Sequence, residues 1–171
     1  MAYIIGIGGV SRSGKSTVAR KLKDELASLK VFALDMDSYV LPENDIPKIN
    51  GHPNWEVPES IDYERILTLL DENKSIYEVI IVEGILAFAN KELNKRYDLT
   101  VVMEISKATY LNRRKQETRW GKDPDWYLEY VWEAHLKYGQ YPEADIMLSG
   151  DPPVDEHDLI PILQKIRATP P

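Results

Sequence analysis

The residue types that bind phosphate are concentrated near the amino terminus. Residues 8–17 read GGVSRSGKST and fit the spacing GxxxxGK(S/T), in which Gly9 and Gly14 are the fixed glycines. Glycine lets successive backbone N–H groups point at phosphate oxygens, a conformation that Cβ atoms would obstruct. We expect Lys15 to neutralise charge on the β- and γ-phosphates of a nucleotide and the Ser16 hydroxyl to bind Mg²⁺. The residues of this stretch expected to contact a nucleotide are Gly9, Val10, Ser11, Arg12, Ser13, Gly14, Lys15, Ser16 and Thr17.

The context of this stretch separates a phosphate site from the alternative, a glycine-rich turn with an ordinary capping serine. The apolar run YIIGI precedes it at residues 3–7, and helical spacing of Val18, Leu22 and Leu26 follows it. A strand before the loop and a helix after it are what the motif requires, and the helix amino terminus adds a partial positive charge. Nucleoside triphosphate binding is therefore the strongest functional indication in the sequence.

Acidic residues follow two of the buried apolar runs. Asp35 and Asp37 end the run at 31–34, and Glu83 comes directly after VIIV at 79–82. Open α/β sheets bind ligands at the carboxyl ends of their strands, so these carboxylates are expected at the ligand edge. There Glu83 could orient the water shell of Mg²⁺, and Asp35 or Asp37 could accept the proton of an attacking hydroxyl. The alternative for all three is a role in turn formation.

An aromatic and acidic segment lies further along, in NGHPNWEVPESIDYE at residues 50–64. Trp55 offers a flat apolar face and Glu56 an acceptor pair for vicinal hydroxyls, a combination that suits a nucleoside. The alternative is that Trp55 pins the loop onto the core.

Basic residues cluster between positions 113 and 122 of an otherwise acidic chain, namely Arg113, Arg114, Arg119 and Lys122. Arginines on a mobile segment can close over transferring phosphates and exclude water, so we expect a lid at approximately 113–127. We expect Arg113 and Arg119 to contact the nucleotide. A solvated, charged helix face is the alternative.

Short apolar runs alternate with helix-length segments along the chain. The runs are YIIGI (3–7), VFAL (31–34), VIIV (79–82), LTVVM (99–103) and ADIML (144–148), and the predicted helices cover 16–29, 61–70 and 106–119, with a further helix near the carboxyl end. This alternation predicts parallel strands with helices on both faces of the sheet. Four prolines make residues 40–60 an irregular excursion between elements.

Composition narrows the class of protein. A net charge of −7, from 21 basic and 28 acidic residues in 171, argues against an extended nucleic-acid surface. No apolar run approaches the roughly 20 residues that cross a bilayer. The sequence has no cysteine, which excludes disulfides and thiolate metal sites and fits a cytoplasmic location.

Taken together, the ordered segments resemble the uridine kinase and nicotinamide riboside kinase group of P-loop kinases along nearly the whole chain. The segments that carry the resemblance are IIGIGGVSRSGKSTVARKL, DMDSY, HPNWEVPESIDYERI, VIIVEGILAF, LNRRKQETR, DPDWYLEYVWEAHLKYG and ADIMLSG. The first is common to many P-loop proteins, whereas the others in this order are selective. The resemblance implies one domain over 1–171 with the P-loop NTPase fold, a three-layer α/β/α sandwich with a mostly five-stranded parallel sheet and a small helical lid.

The resemblance also implies roles for individual residues. Asp37 matches the catalytic aspartate of a D-x-(F/Y) element that Tyr39 completes. The resemblance also implies that Asp37 lies near Mg²⁺, together with Ser16 and Glu83. Glu56 falls where the family has a ribose-binding aspartate, and Arg114 falls on an arginine that contacts the ribose. The acceptor-binding segment is thus expected at approximately 38–60.

One departure concerns the lid. The family often has a second arginine three residues after the position of Arg114, and this chain has Glu117 there. Arg119 could supply the missing charge from a shifted position and is our expected third catalytic residue, with Lys15 and Asp37.

These observations favour an ATP- and Mg²⁺-dependent kinase that phosphorylates the primary hydroxyl of a nucleoside or ribosyl compound, as a monomer or homodimer. Two alternatives stay open: a kinase for a non-nucleoside metabolite alcohol, and a nucleotide-binding switch without a small acceptor. The sequence contains no N-K-x-D element of the kind that indicates GTP specificity.

Overall fold

A parallel five-stranded sheet forms the centre of the molecule. The computed structural model describes residues 1–117 and 122–168. The sheet strands are β1 (Tyr3–Gly9), β2 (Val31–Asp35), β5 (Val79–Gly84), β6 (Leu99–Glu104) and β7 (Ile146–Ser149). Their spatial order is β2-β5-β1-β6-β7, with every neighbouring pair parallel. The five strands predicted from the apolar runs are confirmed, as is the α/β fold class.

Helices cover both faces of the sheet, because β1 and β5 are buried along their whole length and need apolar cover on each side. The helices are α1 (Lys15–Glu25), α2 (Tyr63–Asn73), α3 (Lys91–Asn94), α4 (Lys107–Lys115), α5 (Asp125–Ala134) and α6 (Ile160–Ala168). One apolar cluster joins α1 and α6 to the sheet, through residues such as Leu22 and Ile162. A second cluster joins α2 to the opposite face, through Ile66 and Leu70. The result is the predicted three-layer sandwich.

Local sequence fixes where several helices begin. The Asp62 side chain accepts a hydrogen bond from the Arg65 N–H at the start of α2, and the Ser106 side chain accepts one from the Thr109 N–H at the start of α4. The helix predicted over 106–119 is shorter than expected, since α4 ends at Lys115. Among the described residues, no helix has the length and apolar character needed to span a bilayer.

The irregular segment before α2 is ordered by short elements. Its strands β3 (Lys48–Ile49) and β4 (His52–Pro53) form an antiparallel hairpin, and a 3₁₀ turn follows at Pro58–Ser60. A backbone bridge between Val40 and Ile61 closes the segment at its base. Residues 54–56 are thereby held beside the carboxyl edge of the sheet.

A third, smaller apolar cluster attaches α4 and α5 to the loop after β1. Its buried members are Val10, Tyr110 and Val131. Beyond α5 the chain makes a π-helical turn over His135–Gly139, where the His135 ring packs 5.8 Å from that of Trp132.

Candidate active site

The loop between β1 and α1 has the backbone of a phosphate cradle. Gly9 and Gly14 have φ angles of 146° and 103°, which favour glycine. A Cβ at Gly9 would lie 2.5 Å from the Met103 carbonyl oxygen, so no other residue fits there. The Ser13 hydroxyl is buried and has no hydrogen-bond partner among the described residues. A buried polar group without a partner is costly, so this loop is built to receive a polar ligand.

Lys15 is the positive charge of the cradle. Its side chain is buried, and its ammonium donates to the Val10 carbonyl over 3.1 Å. Burial lowers the pKa of Lys15, whereas the carboxylates of Glu83 and Asp37 oppose that shift. Glu56 and Asp35 act on Lys15 in the same direction. Four carboxylates thus act electrostatically on the Lys15 ammonium.

Two of the sequence-predicted metal residues contact each other directly. Glu83 is buried at the carboxyl end of β5, and its carboxylate accepts a hydrogen bond from Ser16. Burial raises the pKa of Glu83, while Ser16 and Lys15 lower it. A hydroxyl and a carboxylate are oxygen ligands of the kind that Mg²⁺ uses, usually with several waters and the phosphates of the substrate. The pair therefore fits a magnesium ion at the cradle, although the described residues include no cluster of three or more acidic or histidine side chains that could hold a metal alone.

Asp37 lies next to this pair on the neighbouring strand end. Register pairs Asp35 with Glu83, and the Asp35 side chain accepts a hydrogen bond from the Asp37 N–H, which starts a short 3₁₀ turn. Desolvation by the cleft raises the pKa of Asp37, with Lys15 opposing and Asp35 adding to the shift. Because Asp37 keeps solvent access, this desolvation is partial. A raised pKa makes a carboxylate a better proton acceptor.

A cavity of about 500 Å³ opens beside the cradle. Some of the residues that line it were not predicted from the sequence. The loop residues Arg12 to Thr17 line one side, and Gly150, Pro153 and Val154 line the other. No local sequence signal connects Pro153 and Val154 to the cradle. Arg113 joins the two sides, since its guanidinium donates to the Arg12 carbonyl over 3.1 Å and to the Gly150 carbonyl over 2.6 Å.

A second, much smaller recess of about 10 Å³ adjoins the cradle on its other side, where Glu56 lies. Val10 and Ser11 line it together with Glu56, Ile85 and His135. The side chains of Val10 and Ser11 thus face away from the cavity beside α1. Partial burial raises the pKa of Glu56 to about 7, with Tyr127 and Arg114 opposing the shift.

Arg114 contacts a residue that lines this recess. Its guanidinium donates to the Asp123 carboxylate over 2.8 Å and to the Ser11 hydroxyl over 3.1 Å. Arg114 therefore joins the lid segment to the phosphate loop and also acts electrostatically on Glu56.

Two predicted acceptor residues have different environments. Trp55 is 36% exposed, which does not support the alternative that it pins the loop onto the core. Tyr39 is half-buried and packs against the apolar cluster under α2. The structure therefore offers the Trp55 face, rather than the Tyr39 ring, to solvent.

Of the lid residues, Arg119 lies outside the described residues. Glu117, which stands where the family often has arginine, forms an ion pair of 2.7 Å with Arg12 of the phosphate loop. Arg12 has a φ of 66°, so the loop presents its side chain from a left-handed position. The end of α4 is thus attached to the loop by Arg113, Arg114 and Glu117.

Comparisons with known proteins agree with this geometry. Residues 5–125 match the family model described as an AAA domain. The chain is 30% identical over 161 residues to human nicotinamide riboside kinase 1, a match that covers 81% of this chain and 77% of the relative. It is 26% identical over 167 residues to uridine kinase from Deinococcus deserti, covering 80% and 81%. A possible uridine kinase from Bacillus stearothermophilus has the same fold, with a TM-score of 0.55 and 19% identity over 86% of this chain and 88% of that one.

Proposed function

The chain belongs to the nicotinamide riboside kinase and uridine kinase group of P-loop kinases, and from this premise we propose that it phosphorylates the primary hydroxyl of a ribosyl compound with ATP and Mg²⁺. One observation carries the proposal. Val10 and Ser11 of the phosphate loop line the same recess as Glu56, so the phosphate cradle and a diol-binding carboxylate share a wall.

Bound ATP would supply the phosphoryl group, and Mg²⁺ would neutralise charge on its phosphates. The residues that would hold them are the cradle amides, Lys15, Ser16 and Glu83. The cavity residues Pro153 and Val154 offer an apolar wall for a base, and Arg113 fixes the shape of that wall through Gly150.

Asp37 is the proposed general base. Its carboxylate lies at the sheet edge close enough to Lys15 for the two to perturb each other's pKa. There it can orient the acceptor hydroxyl and take its proton as the oxygen bonds to phosphorus and the bond to the leaving nucleoside diphosphate breaks. Lys15 stabilises the charge that spreads over the transferred group.

Glu56 and Arg114 are proposed to bind the ribose diol, since a carboxylate accepts from both hydroxyls and a guanidinium donates to their oxygens. The exposed face of Trp55 is available to stack on the ring that the ribose carries. Tyr39 is proposed to contact the acceptor near Asp37. The lid at 113–127, the acceptor-binding segment at 38–60, the single domain over 1–171 and the cytoplasmic location stay predictions, as do Arg119 as a catalytic residue and the monomer or homodimer.

The test is acceptor-stimulated release of ADP. Purified protein with ATP and Mg²⁺ is assayed with uridine, nicotinamide riboside, other nucleosides and a set of non-nucleoside alcohols, and the product is identified by mass spectrometry. We expect a 5′-phosphate of a ribosyl compound. Asp37→Asn is the matched control, which should abolish turnover while calorimetry still detects nucleotide binding.

Stimulation only by alcohols without ribose would favour the alternative of a kinase for another metabolite. No stimulation by any acceptor, with ATP bound, would contradict the proposal.

A further inference from the structure

Two tyrosines on one face of α5 hold the segment that contains Glu56. The Tyr127 hydroxyl donates to Glu56 Oε1 over 3.2 Å. Tyr130, one turn later, accepts from the Asn54 side-chain amide over 2.6 Å, and the carbonyl oxygen of that amide accepts from the Glu56 N–H over 3.2 Å. The two phenol rings lie 6.4 Å apart, as the i, i+3 spacing on a helix dictates. One contact therefore holds the carboxylate and the other holds its backbone.

We propose that Tyr127 is a positioning residue that sets the Glu56 carboxylate for a vicinal diol, and so determines acceptor specificity. The inference rests on the proposed function, because it concerns the same recess. Selection of acceptors that carry a vicinal diol then depends on a residue of α5 that lies outside the acceptor-binding segment.

The geometry explains why such a residue is needed. Glutamate has a longer and more flexible side chain than aspartate, and ordering a free side chain costs conformational entropy when a ligand binds. The hydrogen bond from Tyr127 uses one lone pair of Oε1 and leaves the other lone pairs of the carboxylate to accept from both hydroxyls of the diol. Pre-ordering of this kind lowers the cost of binding without adding a contact to the ligand.

Tyr127 is suited to remain a donor. Its ring belongs to the group packed against the cluster of Val10, Tyr110 and Val131, and burial together with Glu56 raises the pKa of its hydroxyl above the usual range. The phenol therefore stays protonated while Glu56 accepts. Because the ring packing does not involve the hydroxyl, Tyr127→Phe removes the hydrogen bond and keeps the ring.

The experiment compares two acceptors in the wild type, Tyr127→Phe and Tyr130→Phe. The first acceptor is whichever of uridine and nicotinamide riboside the wild type phosphorylates, and the second is its 2′,3′-dideoxy analogue. We expect Tyr127→Phe to raise KM for the diol acceptor about fivefold to tenfold, the usual effect of losing one ordinary intramolecular hydrogen bond, with kcat nearly unchanged. KM for the dideoxy analogue and for ATP should stay the same. Tyr130→Phe is the comparison variant, since it releases the Asn54 contact that holds the Glu56 backbone and leaves the hydrogen bond to the carboxylate in place.

A double-mutant cycle separates positioning from general loosening of the fold. If Tyr127 acts through Glu56, then adding Tyr127→Phe to Glu56→Ala, which removes the acceptor oxygens, should not raise KM for the diol acceptor any further. Additive effects, equal effects on the two acceptors, or an unchanged KM in Tyr127→Phe would each overturn the inference. These results require an active wild type, so they are distinct from the failure of the proposed function, in which no ribosyl acceptor is phosphorylated at all.

Discussion

The acceptor KM should depend on pH through Glu56. The pKa of this carboxyl is raised to about 7 from its ordinary 4.5, chiefly by burial, while Tyr127, Arg114 and Lys15 lower it and Asp37 raises it. Only the ionised carboxylate accepts hydrogen bonds from both hydroxyls of a diol. With a pKa of about 7, roughly a tenth of the molecules are ionised at about pH 6 and roughly nine tenths at about pH 8. The acceptor KM should therefore fall roughly tenfold between about pH 6 and about pH 8.

The sign and the position of this change are both tests. Since Glu56 is half-buried, the water that reaches it can only move the midpoint downward from 7, toward the ordinary value. The assay measures initial rates of ADP release at saturating ATP and Mg²⁺ across this pH range, so that KM and kcat are resolved separately. Protonation of Asp37, the proposed base, should appear as a pH dependence of kcat.

Glu56→Gln is the control for this prediction. The amide has nearly the same shape and does not ionise, so its KM should be higher and independent of pH. A wild-type KM that stays constant over the whole range, or a pH dependence that persists in Glu56→Gln, would refute the assignment of the diol site to Glu56.

Three further outcomes are expected. Lys15→Ala should lower kcat by about 10²-fold or more, because a preorganised charge stabiliser is lost, and full activity in the ADP-release assay would count against the cradle. Glu83→Gln should raise the Mg²⁺ concentration needed for half-maximal rate, since the neutral amide is a weaker ligand for a hard cation; an unchanged magnesium titration would remove Glu83 from the metal site. Burial lowers the pKa of His135 to about 4, so the folded state binds fewer protons than the unfolded state, and the free energy of unfolding should fall as pH drops from 6.5 toward 4. In urea unfolding, the free energy of unfolding of His135→Leu should fall less on acidification than that of the wild type, by up to about 2 kcal/mol at about pH 5. An equal decrease with pH in the two proteins would contradict this prediction.

The predicted lid segment shows what comparison of motifs can and cannot predict. The sequence identified Glu117 as a departure and assigned its missing charge to Arg119. The structure shows that Glu117 pairs with Arg12, so the acidic side chain has its own contact with the phosphate loop, while Arg119 lies outside the described residues. That partner could not be chosen from sequence, because Arg12 is distant along the chain and several other basic residues lie nearer to Glu117.

Some features followed from the sequence because their physical cause is local. The glycine spacing of the cradle, the helical repeat of Val18, Leu22 and Leu26, and the five apolar runs each depend on neighbours within a few residues. The acids at the strand ends were placed by the rule that open α/β sheets bind ligands at the carboxyl ends of their strands. The register, which pairs Asp35 with Glu83, agrees with that placement.

Contacts between distant segments were decided only by the tertiary structure. The hydrogen bond from Tyr127 to Glu56 spans 71 positions, and that from Arg114 to Ser11 spans 103. Pro153 and Val154 reach the cavity only because β7 lies beside β6 at the end of the sheet. The residue types capable of this chemistry are written in the chain, but the packing of α4 and α5 against the phosphate loop selects which of them meet.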